Sequence, residues 1–200
     1  NLKSKYSNEI SKSNREKYDF HLKTILKQIT QIETLVNEFS DFARMPKPLL
    51  KKNNLVEVVK NNIEILQNVS RDVKINFNLN NQKSLYCMFD NEQISRVFFN
   101  LIKNSIESIQ EKSMKSTNFD KIINIEIVER KDYINIDLSD TGTGFLKNNA
   151  KQLIKPYFTT KEKGSGLGLS IVNKIINDHD GMIQFINSKN GAKVEIKIPK

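Results

Sequence analysis

Hydrophobic residues in the first part of the chain recur at alternating steps of four and three. The series runs Tyr18, Leu22, Ile25, Ile29, Ile32, Val36 and Phe39. Because this spacing places its members on one stripe of a helix, it predicts a long helix over about residues 15–44, with the a/d pattern of a coiled-coil seam. Pro46 ends that helix, since a proline disfavours helical conformation in the residue before it. The stripe needs a partner helix, and residues 1–10 supply only a short stub, so we expect self-association through this segment.

After Pro46 the period of the pattern changes several times. Helical spacing predicts helices over residues 55–69, 91–111 and 167–178, and alternation predicts strands over 73–79, 84–89, 122–130, 133–139, 182–187 and 192–198. The polar stretch 112–121 is predicted to be a loop. Antiparallel hairpins with helices laid on one face predict the α+β class, as a two-layer α/β sandwich. We therefore divide the chain into a helical segment, 1–45, and a second domain, 46–200.

Composition removes several classes of function. The chain carries 32 Lys and Arg against 23 Asp and Glu, for a net charge of +9, but Lys far outnumbers Arg and aromatic residues make up 8%. Proteins that read bases favour Arg and stacking aromatics, so we predict no nucleic-acid partner. No apolar run reaches the roughly 18 residues of a membrane span. The sequence starts at Asn1 without a signal-peptide pattern, and we expect it to be a fragment whose membrane contact, if any, lies in other segments.

Two asparagines on the 91–111 helix form the first candidate site. Asn100 and Asn104 are four residues apart, so their amides project from the same face, and Glu107 continues that face. Asparagines on helices are usually solvated, but hydrophobic residues occupy the other sides of this helix, and its polar stripe needs a reason. Amide oxygens can ligate Mg²⁺ when phosphates and water complete its coordination.

Three further segments carry candidate chemistry. Asp140-Thr141-Gly142-Thr143-Gly144 follows an alternating strand. There a carboxylate can accept a hydrogen bond from an exocyclic amine and glycines admit a flat ring, although a tight turn explains the motif about as well. Residues 156–161 (PYFTTK) are either a packed loop anchor or a lid hinge. Residues 164–169 (GSGLGL) run into a helix, whose N-terminal amides can bind phosphate, although the segment lacks the Gly-Lys-Ser/Thr of a Walker A loop.

In this order and spacing the four segments resemble the N, G1, F and G2 boxes of sensor histidine kinases of two-component systems. The resemblance covers residues 46–200 and implies the Bergerat, or GHKL, ATP-binding fold. The end of the preceding helix, residues 37–44 (NEFSDFAR), is similar to the second helix of the dimerisation and histidine-phosphotransfer hairpin. Among these kinases the nitrogen-regulation sensors of the NtrY type are the most similar.

Position by position, the resemblance implies a set of nucleotide-binding residues. It makes Asn104 the Mg²⁺ ligand, with Asn100 beside the triphosphate. Asp140 would bind the adenine amino group, with Gly142 and Gly144 lining the base pocket. The other residues implied at the nucleotide are Lys103, Thr159, Thr160, Lys161, Gly164, Ser165, Gly166, Leu167, Gly168 and Leu169, and Glu107 is a further candidate. Residues 145–163 would form a lid that becomes ordered over ATP.

One departure concerns the phosphoacceptor. In this family it is a histidine in the pattern His-Glu-x-x-Asn-Pro, and neither His21 nor His179 stands in that pattern. We expect the acceptor upstream of Asn1, so the fragment should bind ATP without autophosphorylating. The resemblance implies a response regulator receiver domain as partner and a homodimer through the long helix. It also implies a cytoplasmic domain of an inner-membrane-anchored bacterial protein.

Two other interpretations stay open. Related GHKL-type ATPases of the gyrase, chaperone and mismatch-repair kind need a general base to activate water, and the resemblance places their Glu where this sequence has Asn100. An amide cannot take a proton from water, which disfavours hydrolysis as the main reaction. A dimerising scaffold that merely binds nucleotide is the second alternative.

Overall fold

The structure of the protein is a computed structural model that describes residues 12–79, 83–116, 118–145, 150–159, 161 and 164–200. Contacts divide the chain into two units, Asn1–Met45 and Pro46–Lys200. In chain order the elements are α1 (Lys12–Ala43), β1 (Lys51–Asn54), α2 (Leu55–Val69), β2 (Lys74–Asn78), β3 (Tyr86–Phe89), α3 (Asn91–Lys115), β4 (Ile122–Glu129), β5 (Tyr133–Asp140), α4 (Ala150–Leu153), α5 (Gly168–Asp178), β6 (Met182–Asn187) and β7 (Ala192–Pro199).

In the first unit α1 confirms the predicted long helix. The hydroxyls of Thr24, Thr30 and Thr34 donate hydrogen bonds to carbonyl groups four residues earlier on the same helix. The hydrophobic stripe of α1 is exposed at Ile25, Leu26, Ile29, Ile32, Leu35, Val36 and Phe39. The stub predicted in residues 1–10 lies outside the described residues. None of the helices in the described ranges combines the length and the apolarity needed to cross a membrane.

In the second unit five strands form one sheet in the order β2-β4-β5-β7-β6. β2 runs parallel to β4, and the other neighbours are antiparallel. One face of the sheet is buried, at Ile123, Ile125, Ile127, Ile134, Ile136, Leu138, Val194, Ile196 and Ile198. The helix α3 contacts both α2 and α5, and all three helices contact the sheet and bury their own hydrophobic residues. The predicted two-layer α/β sandwich of the α+β class is confirmed.

Three elements differ from the sequence prediction: the end of α3, the strand β1, and the short helix α4, which lies within the predicted lid. α3 continues to Lys115, so the loop predicted over 112–121 begins four residues too early; an ion pair between Lys115 and Glu111 supports the last turn. β1 was not predicted, because its four residues are polar. It pairs antiparallel with β3, and the side chain of Asn53 donates to the Phe89 carbonyl at 2.9 Å. The parallel pairing of β2 was not predicted either.

The start of α3 is fixed by a capping network. Oδ1 of Asp90 accepts hydrogen bonds from the backbone N–H groups of Glu92 and Gln93, each at 3.0 Å. The backbone N–H of Asp90 in turn donates to Nε2 of His179, at the end of α5, at 3.0 Å. Desolvation acts to raise the pKa of Asp90, but three backbone N–H donors outweigh it and lower this pKa. The N-terminus of α3 is thus tied to the C-terminus of α5.

Candidate nucleotide-binding site

Helix α3 presents two groups of polar side chains to the loops around it. Ser105, Ser108 and Lys112, spaced by three and four residues, lie on one face and contact the segment that follows β5. A second group, which includes Asn104, reaches the segment before α5. The sequence prediction identified the second group and missed the first.

Asp140, the last residue of β5, is buried, and both of its carboxylate oxygens accept hydrogen bonds. Its Oδ2 accepts a hydrogen bond from the Ser105 hydroxyl at 3.0 Å. Its Oδ1 accepts from the backbone N–H of Gly142 at 2.9 Å and from that of Ala192 at 3.3 Å. Burial raises the pKa of Asp140, and the hydrogen bonds from Gly142, Ser105 and Ala192 and the charge of Lys112 offset this only in part. The carboxylate is held in one orientation.

The loop after Asp140 packs directly against α3. A Cβ on Gly142 would overlap the hydroxyl of Ser108 and come within 2.8 Å of the Ser108 backbone, so glycine is required by close approach. The Ser108 hydroxyl also accepts from the backbone N–H of Thr143 at 3.0 Å. At the far end of the loop the side-chain amide of Asn187 donates to the Phe145 carbonyl and accepts from its N–H. Sequence reasoning missed Asn187, whose partner is 42 residues away.

Asn104 and Glu107 meet a lysine from the loop before α5. Nζ of Lys161 forms an ion pair with Oε2 of Glu107 and lies 3.5 Å from Oδ1 of Asn104. The Asn100 amide donates to the Arg96 carbonyl at 2.8 Å. The amide oxygen of Asn100 lies 3.1 Å from where a Cβ on Gly168 would stand. The amides of Asn100 and Asn104 therefore lie beside the start of α5.

The glycine segment before α5 packs on the aromatic and hydroxyl cluster that precedes it. Gly166 has φ +71°, and a Cβ on it would lie 2.5 Å from the Tyr157 carbonyl carbon. Gly164 lies beside the hydroxyl of Thr159, which accepts from the backbone N–H of Lys161 at 3.1 Å. Gly164 and Gly166 thus lie directly against Thr159 and the backbone of Tyr157.

The remaining predicted residues divide by exposure. Leu167 is buried, Ser165 and Leu169 are partly buried, and Lys103 is on the exposed side of α3. The Ser165 hydroxyl accepts from the backbone N–H of Leu167 at 3.3 Å. Thr160 and much of the predicted lid lie outside the described residues.

The donor set fits Mg²⁺ carried by a nucleotide better than a metal bound by protein alone. Within the described ranges no group of three or more His, Cys, Asp and Glu side chains could hold a metal ion. The Asn104 amide oxygen already faces a cation, the Lys161 ammonium group. One amide oxygen and a neighbouring carboxylate can supply part of a hard-cation site if phosphates and water supply the rest.

A separate open cleft of about 620 Å³ lies at the start of α2 and α3. Its lining includes Leu49, Lys51, Glu57, Asp90 and Glu92, and none of the predicted nucleotide-binding residues. We assign the candidate site to Asp140, Asn104 and the glycine segment because neighbouring side chains of α3 contact Asp140, Lys161 and Gly168.

Residues 89–200 match the family described as histidine kinase-, DNA gyrase B-, and HSP90-like ATPase. The protein belongs to this ATPase family. Among its relatives, the nitrogen regulation protein NtrY of Azorhizobium caulinodans is 31% identical over 98% of this chain, which spans 25% of that protein. An NtrY-like sensor histidine kinase of Rickettsia felis is 33% identical over 98% of the chain, which spans 31% of it. The chain thus spans less than a third of the length of these relatives.

Solved structures agree with this family assignment. The catalytic domain of the histidine kinase ThkA, in a nucleotide-free form, has 26% identity and a TM-score of 0.65, over 76% of this chain and 95% of that domain. Full-length ShkA in complex with AMPPNP has the same fold at 16% identity, with a TM-score of 0.72 over 88% of this chain and 37% of ShkA. The predicted resemblance to sensor histidine kinases of the NtrY type and the predicted GHKL ATP-binding fold are confirmed.

The two histidines of the sequence have different surroundings. His21 is exposed on α1. His179 is buried, with Nδ1 2.8 Å from the Ile175 carbonyl and Nε2 bonded to the Asp90 N–H. Because both ring nitrogens of His179 are engaged inside the domain, this side chain is not available as a phosphoacceptor.

Proposed function

We propose that residues 46–200 form the ATP-binding catalytic domain of a two-component sensor histidine kinase. The observation that carries the proposal is the arrangement along α3. Ser105 orients the buried Asp140 carboxylate. The preceding residue, Asn104, lies beside Lys161 of the segment before α5. The names of the relatives, NtrY and NtrY-like sensor histidine kinases, support the same function.

In this proposal the chain's residues divide between the base and the phosphates. Asp140 accepts a hydrogen bond from the adenine amino group, and Gly142 and Gly144 line the base. Asn104 holds Mg²⁺, and Asn100 lies near the triphosphate. The residues near the phosphates are Lys103, Thr159, Thr160, Lys161, Gly164, Ser165, Gly166, Leu167, Gly168 and Leu169. When bound, Mg·ATP supplies the transferable γ-phosphoryl group and a metal charge that neutralises its oxygens.

The acceptor of the phosphoryl group is proposed to be a histidine, with relay to an aspartate of a response regulator. Asn100 occupies the position of the general base in the water-activating ATPases, and its amide cannot remove a proton from water. In the solved complex of ThkA with the response regulator protein TrrA, ThkA has this fold at 21% identity and a TM-score of 0.69. That likeness and the family names support the partner class.

Assembly and location complete the proposal. The exposed stripe of α1 fits a homodimer through the long helix, because burying each large hydrophobic residue contributes about 1.5–3 kcal/mol. The relatives are sensor kinases, so we propose a cytoplasmic domain of a membrane-anchored protein, without nucleic-acid partners. Dimers at tens of micromolar in light scattering would support this assembly, and monomers would contradict it.

Calorimetry of the whole chain tests the metal and the base. ADP binding should require Mg²⁺ and should collapse in Asn104→Ala, whereas Asn61→Ala, an exposed asparagine on α2, should bind as the wild type. GTP presents a carbonyl oxygen where ATP presents an amino group. An unpaired buried polar group costs about 1–3 kcal/mol, so GTP should bind about tenfold more weakly or worse. Equal affinity with and without metal would remove the role of Asn104, and equal affinity for GTP that of Asp140.

Phosphotransfer tests the reaction. The chain is incubated with [γ-³²P]ATP and a separately made helical hairpin that carries the His-Glu-x-x-Asn-Pro pattern of an NtrY-type kinase. We expect acid-labile label on the hairpin and none on the chain itself. Rapid phosphate release without the hairpin would favour the ATPase alternative, and nucleotide binding without either reaction would favour the scaffold.

A further inference from the structure

Lys112 joins segments that are far apart in the sequence. Its Nζ donates to the Thr141 carbonyl at 2.7 Å and to the Asn190 carbonyl at 3.0 Å. The same ammonium group lies 4.6 Å from the centre of the Phe119 ring, within the range of a cation–π contact. One side chain of α3 therefore holds the loop after β5, the turn between β6 and β7, and the loop that follows α3.

The position of Lys112 on α3 completes a row of contacts to the loop after β5. Ser105 bonds the side chain of Asp140, Lys112 bonds the carbonyl of Thr141, and Ser108 bonds the backbone of Thr143. These contacts enclose Gly142 on both sides along the chain. Lys112 is the member of the row that carries a charge, and hydrogen bonds from charged donors are about twice as strong as neutral ones.

The turn held by Lys112 also touches Asp140. A Cβ on Gly191 would overlap the Asp140 carbonyl oxygen, so the β6–β7 turn packs directly on the backbone at Asp140. The N–H of Ala192, in the next position, donates to the Asp140 carboxylate at 3.3 Å. The Lys112 ammonium group bridges Thr141 and this turn. It therefore fixes how the N–H groups of Gly142 and Ala192 are spaced around the Asp140 carboxylate. The charge of Lys112 also opposes the rise in the pKa of Asp140 that burial causes.

We propose that Lys112 is a positioning residue for the base end of the nucleotide site, acting through the loop that carries Asp140 and Gly142. This rests on the proposed function, in which Asp140 binds adenine. Lys112 makes none of its described contacts to Asn104, Lys161 or the glycine segment. Its removal should therefore affect recognition of the base and leave binding of the phosphates unchanged.

The test compares ADP with inorganic tripolyphosphate, each with Mg²⁺, by calorimetry on the whole chain. Lys112→Met should weaken ADP binding about tenfold or more, since two bonds from a charged donor are lost. Tripolyphosphate binding should stay within about twofold of the wild type. Lys112→Arg, which keeps the charge, should recover much of the ADP affinity. Lys115→Met is the matched control one turn further along α3, where the lysine pairs with Glu111 at the surface, and it should bind both ligands as the wild type does.

The outcomes separate this proposal from the one on which it rests. Wild-type ADP affinity in Lys112→Met overturns the positioning role, and so does an equal loss of ADP and tripolyphosphate. If Lys112→Met does not fold, Lys112→Gln, which keeps one donor without charge, takes its place, with the same selective loss of ADP binding expected. If Asp140→Asn also binds ADP normally, the base site itself is refuted. If only Asp140→Asn loses ADP, the base site stands and the role of Lys112 is overturned.

Discussion

Replacing Asp140 by asparagine removes one charge and almost no volume. Oδ1 accepts from two backbone N–H groups, a role that an amide oxygen can keep. Oδ2 accepts from the Ser105 hydroxyl, and an amide nitrogen in its place can donate to that same hydroxyl after it rotates. The variant is therefore expected to fold with its local hydrogen bonds intact.

Binding of ADP should nevertheless fall strongly in this variant. In the proposed site the carboxylate accepts from the adenine amino group, and an amide nitrogen would turn a donor toward another donor. Hydrogen bonds to charged groups contribute about 1.5–3 kcal/mol, which corresponds to a loss of about 10- to 100-fold in affinity.

Stability without nucleotide should change in the opposite direction. Burial raises the pKa of Asp140 above the 3.8 of an unperturbed carboxyl, so the folded state binds its proton more tightly than the unfolded state. At a pH above the raised pKa, the ionised carboxylate lowers the stability of the folded state relative to the unfolded state. That loss of stability disappears as the pH falls through the raised pKa toward 3.8. Asp140→Asn should thus unfold at a higher temperature than the wild type at pH 7, and this advantage should vanish near pH 4.

Thermal unfolding across this pH range and calorimetry with ADP measure the two effects. Asp132→Asn, in the turn between β4 and β5, is the control and should change neither. ADP affinity within threefold of the wild type would refute the role of the carboxylate. A variant less stable than the wild type at pH 7 would contradict the expected gain, because the three hydrogen bonds would then outweigh the burial of the charge.

Three further substitutions probe the rest of the domain. Gly166→Ala places a side chain at φ +71° against the backbone of the preceding loop. It should lower the free energy of unfolding, measured in urea, by about 1–3 kcal/mol. Unchanged stability would refute the close approach at this glycine. Glu107→Gln frees Lys161 to contact the phosphates. Because exposed ion pairs contribute about 0–1 kcal/mol, calorimetry should show ADP binding up to about fivefold tighter. Weaker binding would instead assign Glu107 to the metal. His179→Ala leaves the N–H of Asp90 unpaired and should destabilise the domain by about 1–3 kcal/mol in urea, an effect that a wild-type midpoint would exclude.

The sequence predicted those helices and strands whose hydrophobic residues follow a regular period. α2, β7 and the β4–β5 hairpin follow the predicted boundaries closely, because each buries one face. β1 was missed, since four polar residues are held as a strand by pairing with β3, a contact that no local pattern records. The last turn of α3 was missed because its residues, polar except for the exposed Met114, carry no periodic signal.

The sequence predicted the motifs of the candidate site but not the side chains that hold those motifs in place. Asp140 and the asparagines stand in spaced motifs that the sequence displays. Ser105, Ser108 and Lys112 matter because α3 faces the loop after β5, which depends on how the layers pack. Their spacing by three and four on a helix was the available signal, and the wrong end predicted for α3 excluded Lys112 from it.

A single helix thus sets the distance between the two ends of the site. From Asn100 to Lys112 α3 advances about 18 Å, at about 1.5 Å per residue. One residue inserted between Asn104 and Ser105 would leave α3 helical but rotate its two ends relative to each other by about 100°. Because α3 buries Leu101 and Ile102 before this point and Ile106 and Ile109 after it, the insertion would also turn half of the buried face away from the core. Insertions and deletions among homologues should therefore accumulate in the connection after α3, at residues 116–121, and be excluded from residues 100–112.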